Sequence, residues 1–289
     1  RHAQVMSEAL LSVEHLTVAF GESTVVDDVS FGIAPGEKFA LVGESGSGKS
    51  ISALSVMRLV DSATSRGVIR FDGDDLMRRS EREMRGVRGR DIAMIFQEPM
   101  TSLNPLYTVG DQIGGVLELH EGLRRNQARH RAIELLARTG IPEPERKVDV
   151  YPHQLSGGQR QRAMIAMALA CRPRLLIADE PTTALDVTIQ VQILALLDEL
   201  QREMGMALLF ITHDLGLVRR FTNRIGIMER GKLVETGDTA DVFANPQHPY
   251  TKRLMASRPQ REVQPVAADA PTLLEGRDLR VEFTSREGW

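Results

Sequence analysis

A chain of 289 residues with 42% hydrophobic content can bury one large core plus an accessory unit, and its net charge of -3, with both signs interspersed, offers no basic field for a nucleic-acid partner. The single cysteine, Cys171, cannot close an intramolecular disulfide, and no Cys/His cluster stands at zinc or iron-sulfur spacing. No apolar run approaches the roughly 20 residues needed to cross a bilayer, so any membrane role is expected to be peripheral.

Arg1–Met6 lacks the apolar core of a signal peptide, and Met6 is the expected initiator. Residues 11–20 alternate loosely between apolar and polar, and residues 39–42 form an apolar run ending in glycine, so strands are expected to feed a glycine loop. A helix is expected over 49–60. Strand-like runs recur at 68–71, 92–96, 175–178, 207–211 and 224–228, with helical patterns between several of them, which is α/β order. Residues 109–151 break that rhythm with helical segments at 109–119 and 127–139 and no convincing strand, predicting a helical subdomain, about 98–170, inserted into the core.

Beyond Met255 the composition turns rich in Arg, Pro and Ala, and 261–271 reads as a linker. The chain then restarts: 273–283 aligns without gaps on 10–20, with Leu273, Leu274, Leu279, Val281 and Phe283 matching Leu10, Leu11, Leu16, Val18 and Phe20. Residues 272–289 are therefore expected to open a second copy of a domain spanning 8–260.

Three motifs carry chemistry. Gly43, Glu44, Ser45, Gly46, Ser47, Gly48, Lys49 and Ser50 satisfy the P-loop pattern, in which backbone N–H groups and a helix N-terminus, continued here by Ile51, wrap the phosphates of a nucleotide. Lys49 is expected to reach the β- and γ-phosphates and Ser50 to ligate Mg²⁺. The apolar run 175–178 ends in Asp179 and Glu180, where a doubly wound sheet presents groups to its ligand; Asp179 is expected to hold Mg²⁺ and Glu180 to polarise the attacking water. Leu155, Ser156, Gly157, Gly158 and Gln159 open another helix, a second anion site with free N–H donors and no lysine of its own.

That pentapeptide resembles the signature of ABC transporter ATPases, and the resemblance covers about residues 8–260. It implies a P-loop NTPase core with a mixed sheet, flanking helices and an N-terminal antiparallel β subdomain, plus the inserted helical subdomain. It also implies that Phe20 stacks on adenine, Gln97 reaches Mg²⁺ and water, Ala184-Leu185-Asp186 crosses to a partner domain, and His213 contacts the γ-phosphate. In such proteins two ATPase domains, fused or separate, meet head to tail. Each ATP then lies between one P-loop and the other's signature, on the cytoplasmic face of the inner membrane beneath two permease subunits and, indirectly, a solute-binding protein.

The stretches 96–105, 151–155 and 245–251 are similar to the peptide/nickel branch of importers, with glutathione and opine-like solutes as neighbours. That branch's frequent cysteine cluster after His-Pro-Tyr-Thr is missing from 252–271, as in the N-terminal half of a fused double ATPase. The rival readings are an ABC ATPase of translation or DNA repair and an unrelated P-loop kinase or GTPase. Nothing in the sequence supplies the coiled coil, basic linker or zinc element of the first, and the signature argues against the second.

Overall fold

Ten strands and ten helices are found among residues 9–97, 102–183, 186–257, 270–271 and 275–280, which the computed structural model describes. The chain divides into residues 1–256 and 257–289.

The first unit opens with β1 (Leu11–Phe20), β2 (Ser23–Ile33), β3 (Lys38–Val42), α1 (Lys49–Val56), β4 (Thr64–Phe71), β5 (Asp74–Asp75), α2 (Glu81–Val87) and β6 (Ile92–Ile95). The helical stretch follows: α3 (Val109–Glu121), α4 (Arg125–Arg138), α5 (Pro144–Lys147) and α6 (Gly157–Ala168). Then come β7 (Leu175–Asp179), α7 (Val187–Met204), β8 (Ala207–Thr212), α8 (Leu215–Phe221), β9 (Arg224–Glu229), β10 (Lys232–Asp238), α9 (Thr239–Ala244) and α10 (Pro249–Ala256).

The strands form two sheets. One is antiparallel, in the order β2-β1-β4-β5; the other has the order β10-β9-β3-β8-β7-β6, parallel except for β10 at its edge. The short apolar runs of β3, β7 and β8 are buried on both faces, which is why they lack polar alternation. Their side chains nevertheless segregate with period two. Phe39, Leu41, Leu175, Ile177, Leu209 and Ile211 join the core under the antiparallel sheet and α1. Ala40, Val42, Leu176, Ala178, Leu208 and Phe210 join the core with α3, α4, α6, α7 and α8. The parallel sheet thus separates two cores and aligns its strand ends.

The stretch 102–170 contains no strand among its described residues, matching the expected helical character. The first helix stops short of expectation, at Val56 rather than residue 60. Apolar periodicity runs on, but Arg58 turns left-handed (φ 50°), and the Leu59 N–H bonds the Leu54 carbonyl at 2.9 Å in a Schellman closure. Arg88 then caps the freed carbonyls of Met57 (2.7 Å) and Arg58 (3.1 Å). A long-range arginine decides that terminus.

In the second unit residues 270–271 and 275–280 are irregular, with an Arg277–Glu275 ion pair of 2.6 Å. Residues 273–274 and 281–283 of the anticipated strand, most of the 261–271 linker, and Met6 lie outside the described residues. No described helix is long and apolar enough to cross a membrane.

Candidate functional site

Four parallel strands deliver residues to one rim of the sheet. Val42 pairs with Thr212, Asp179 with Ile211 and Ile95 with Ala178, so the segments after β3, β8, β7 and β6 emerge at one level. Ligands bind at such carboxyl ends in open α/β sheets.

The loop Gly43–Ser50 leaves β3 and enters α1. Gly43 is buried, and a Cβ there would stand 2.2 Å from the Met228 carbonyl oxygen, so the loop can pass β9 only as glycine. Gly48 caps α1 at φ 99°, and a Cβ there would meet the Val25 carbonyl oxygen at 2.8 Å. The β1–β2 hairpin therefore lies against the loop. Phe20 closes that hairpin opposite Ser23 and is 37% exposed, leaving its ring available for stacking.

The Lys49 ammonium donates to the carbonyls of Gly43 (2.9 Å) and Glu44 (2.8 Å) and to Ser47 Oγ (3.3 Å). Burial lowers its pKa, against the pull of Glu180, Asp179 and Glu44 in the other direction. The Ser50 hydroxyl donates to Asp179 Oδ1 at 3.0 Å. Burial pushes the Asp179 carboxyl above its ordinary value, and the neighbouring Glu180 charge adds to the rise. A hydroxyl and a buried carboxylate converging on one spot are hard oxygen ligands suited to Mg²⁺, an ion that takes one or two protein ligands beside phosphate and water. The residues present fit Mg²⁺-ATP.

Glu180 is the hub. It sits in left-handed backbone (φ 45°), held there by its N–H bond to the Ile211 carbonyl at 2.9 Å. A left-handed glutamate is strained, which is common where backbone geometry serves a site. Its Oε2 accepts from Gln97 Nε2 (3.0 Å) and Thr183 Oγ1 (2.8 Å), while Oε1 meets His213 Nδ1 at 3.0 Å. An ionised carboxylate only accepts, so that histidine nitrogen carries the hydrogen. Burial works to raise the Glu180 pKa, but the hydrogen bonds from His213 and Thr183 outweigh it and leave the carboxyl below its ordinary range. The group is an anion poised to take a proton.

The structure therefore brings Lys49, Ser50, Asp179, Glu180, Gln97 and His213 together. It leaves the signature segment on its own helix. Leu155 is buried, whereas Ser156 and Gly157 are exposed at the start of α6. Ser156 Oγ accepts from the Gln159 N–H and Gln159 Oε1 accepts from the Ser156 N–H, both at 3.3 Å, a capping box. A Cβ on Gly158 would stand 3.2 Å from the Ile189 side chain of α7. Asp186 caps α7 through the Ile189 N–H at 2.9 Å; Ala184 and Leu185 lie outside the described residues.

Sequence reasoning missed Thr183, Gln161 and Gln190. Buried Gln161 on α6 donates to the Pro181 carbonyl (2.5 Å), and Gln190 on α7 donates to the Thr182 carbonyl (3.1 Å), so two helices hold the segment that follows Glu180. Thr183, three residues past Glu180, was the one signal legible beforehand, because Thr commonly bonds its own chain locally.

The chain is similar to known proteins in sequence and in fold. The family described as ABC transporter matches residues 26–183, and the C-terminal region of oligopeptide/dipeptide transporters matches 234–273. The peptidoglycan transport ATP-binding protein YejF of Agrobacterium fabrum is 54% identical over 98% of this chain and 53% of its own length. The dipeptide transport ATP-binding protein DppD of Escherichia coli is 53% identical over 87% of this chain and 79% of its own. The chain thus spans about half the length of the first of these relatives. Among solved structures, the dimeric post-hydrolysis state of the ATP-binding cassette MJ0796 bound to ADP and Pi superposes with a TM-score of 0.70 at 31% identity, covering 79% of this chain and 98% of that one. With a P-loop, a carboxylate-tipped neighbouring strand and a matching family profile across more than half its length, the chain belongs to the ABC transporter family of ATP-binding proteins.

Proposed function

We propose that this chain binds and hydrolyses Mg²⁺-ATP to energise an importer of peptide-containing solutes, working peripherally on the cytoplasmic face of the cell membrane. The observation that carries the hydrolytic part is the convergence of Gln97, Thr183 and His213 on the Glu180 carboxylate beside Lys49. Relatives named for dipeptide and for peptidoglycan transport share peptide chemistry, and the match over 234–273 supports the same solute class.

In this reading the amides of Gly43–Ser50 and the Lys49 ammonium bind the phosphates, while Phe20 stacks on the base. Ser50 and Asp179 would hold Mg²⁺, with Gln97 as a further oxygen ligand; the ion would supply charge neutralisation for in-line phosphoryl transfer. Glu180 accepts the proton of the attacking water at its carboxylate, and Gln97 and His213 keep that carboxylate aimed. ATP and water yield ADP and inorganic phosphate.

The exposed α6 N-terminus, with Ser156, Gly157 and Gly158, is a half-site for the nucleotide of a partner ATPase domain, and Asp186 faces that partner. The 8–260 unit is the ATPase domain, with its helical subdomain contacting two permease subunits that a solute-binding protein serves. Residues 272–289 begin a second ATPase domain, a reading supported by the length of the relatives. Glu180→Gln should reduce ATP turnover by about two to four orders of magnitude with ATP affinity retained; turnover at the wild-type rate overturns the general-base role. Uptake assays in a deletion strain, with labelled dipeptides, peptidoglycan-derived peptides and nickel in competition, test the solute class. Nickel uptake without peptide uptake overturns it.

A further inference from the structure

One backbone donor of the P-loop finds its partner far along the chain. The N–H of Glu44 donates at 3.2 Å to the hydroxyl of Tyr250, 206 residues later on α10 and 4% exposed. The loop is gripped elsewhere too: the Gly231 N–H, in the β9–β10 turn, donates to the Ser47 carbonyl at 3.0 Å. Tyr250 is held in place by its own scaffold. Glu235 on β10 accepts from the N–H groups of Gln247 (2.8 Å) and His248 (2.9 Å), and the Tyr250 N–H bonds His248 Nδ1 at 3.2 Å. Arg253 pairs with Glu229 at 3.3 Å and lies 5.9 Å from the centre of the Tyr250 ring. Glu229 ends the strand whose Met228 carbonyl makes glycine obligatory at position 43. The strand end that shapes the loop's first residue therefore also seats Tyr250 against its second.

We propose that Tyr250 is a positioning residue for nucleotide, tying the C-terminal segment to the P-loop so that each senses the order of the other. The proposal rests on reading Gly43–Ser50 as the nucleotide loop. Glu44 is now fixed on both polar groups, its carbonyl by Lys49 and its N–H by Tyr250. Drawing the Lys49 ammonium onto phosphate leaves the Glu44 carbonyl with the Ser47 N–H, 3.2 Å away inside the loop, and Tyr250 as this residue's tie to the rest of the fold. By linkage, whatever order the hydroxyl lends the loop, bound nucleotide must return to α10.

Tyr250→Phe removes the acceptor and keeps the ring. The lost hydrogen bond should lower the melting temperature by a few degrees at most, and the folded variant should bind Mg²⁺-ATP roughly three- to tenfold more weakly, the worth of one hydrogen bond. KM should rise with kcat retained, and the Glu44 amide should exchange faster by hydrogen-exchange mass spectrometry. Equal affinity and equal exchange in a wild-type protein that binds Mg²⁺-ATP overturn the proposal; failure of the wild type to bind overturns the nucleotide reading instead. If the variant does not fold, the wild type decides. Mg²⁺-ATP should slow exchange across 249–256, and an unchanged rate there counts against the coupling.

Discussion

At the scale of single residues, the two adjacent carboxylates have been driven apart. Asp179 is the last residue of a strand buried on both faces, so burial raises its pKa from 3.8, while the Glu180 hydrogen bonds leave that group below 4.5. A raised acid costs the folded state stability as pH climbs from the ordinary aspartate value through the folded one. Asp179→Asn should therefore melt no lower than wild type at neutral pH while losing Mg²⁺-dependent ATP binding, measurable by thermal scan and titration; a clear drop in melting temperature contradicts the assignment. For Glu180 the sign is opposite: its contribution is present above the unfolded pKa and fades as pH falls through the folded one. Thr183→Val removes one of the bonds that lower it, so the acidic limb of the ATPase pH profile should move to higher pH. An unmoved limb would show that Thr183 does not tune the base.

At the scale of elements, α6 does two things with one residue. The Ser156 hydroxyl closes a capping box on its own helix, and the same turn leaves the helix N-terminus open to an anion. Ser156→Ala should cost about 1 kcal/mol through the lost cap, or roughly 2–4 °C in melting temperature for a domain of this size. Calorimetry giving no change would mean the cap is replaced by solvent. Further along the same helix, Gln161 reaches the Pro181 carbonyl, so the orientation of α6 is mechanically joined to the segment carrying Glu180 and Thr183. The join uses a side chain buried to 1% exposure, where an unmade bond would be expensive.

At the scale of the whole molecule, the proposed function divides the chemistry into two half-sites, one at the sheet rim and one at the exposed start of α6. Closing them on one nucleotide requires another domain. Ser156→Arg should suppress ATP turnover in the assembled transporter while leaving nucleotide binding by the isolated chain at wild-type affinity; full turnover in the assembly would overturn the head-to-tail arrangement. Exposed Val187 and Val191 lie one turn apart on α7 just past Asp186, apolar area placed where such a partner would cover it.

The parallel core and the glycine loop were legible in the sequence, because double-sided burial forces unbroken apolar runs and the loop pattern demands glycine at fixed spacing. Leu175–Asp179 and Gly43–Ser50 could be placed on that basis alone. Tertiary structure decided the rest, since the deciding contacts join residues remote in the chain. Arg88 ends the first helix near Val56 against its own periodicity. Gln97 and His213, 83 and 33 residues from Glu180, share its carboxylate, and Tyr250 reaches the phosphate loop across 206 residues. No local pattern encodes such bonds, because each exists only once the fold has brought segments remote in the chain side by side.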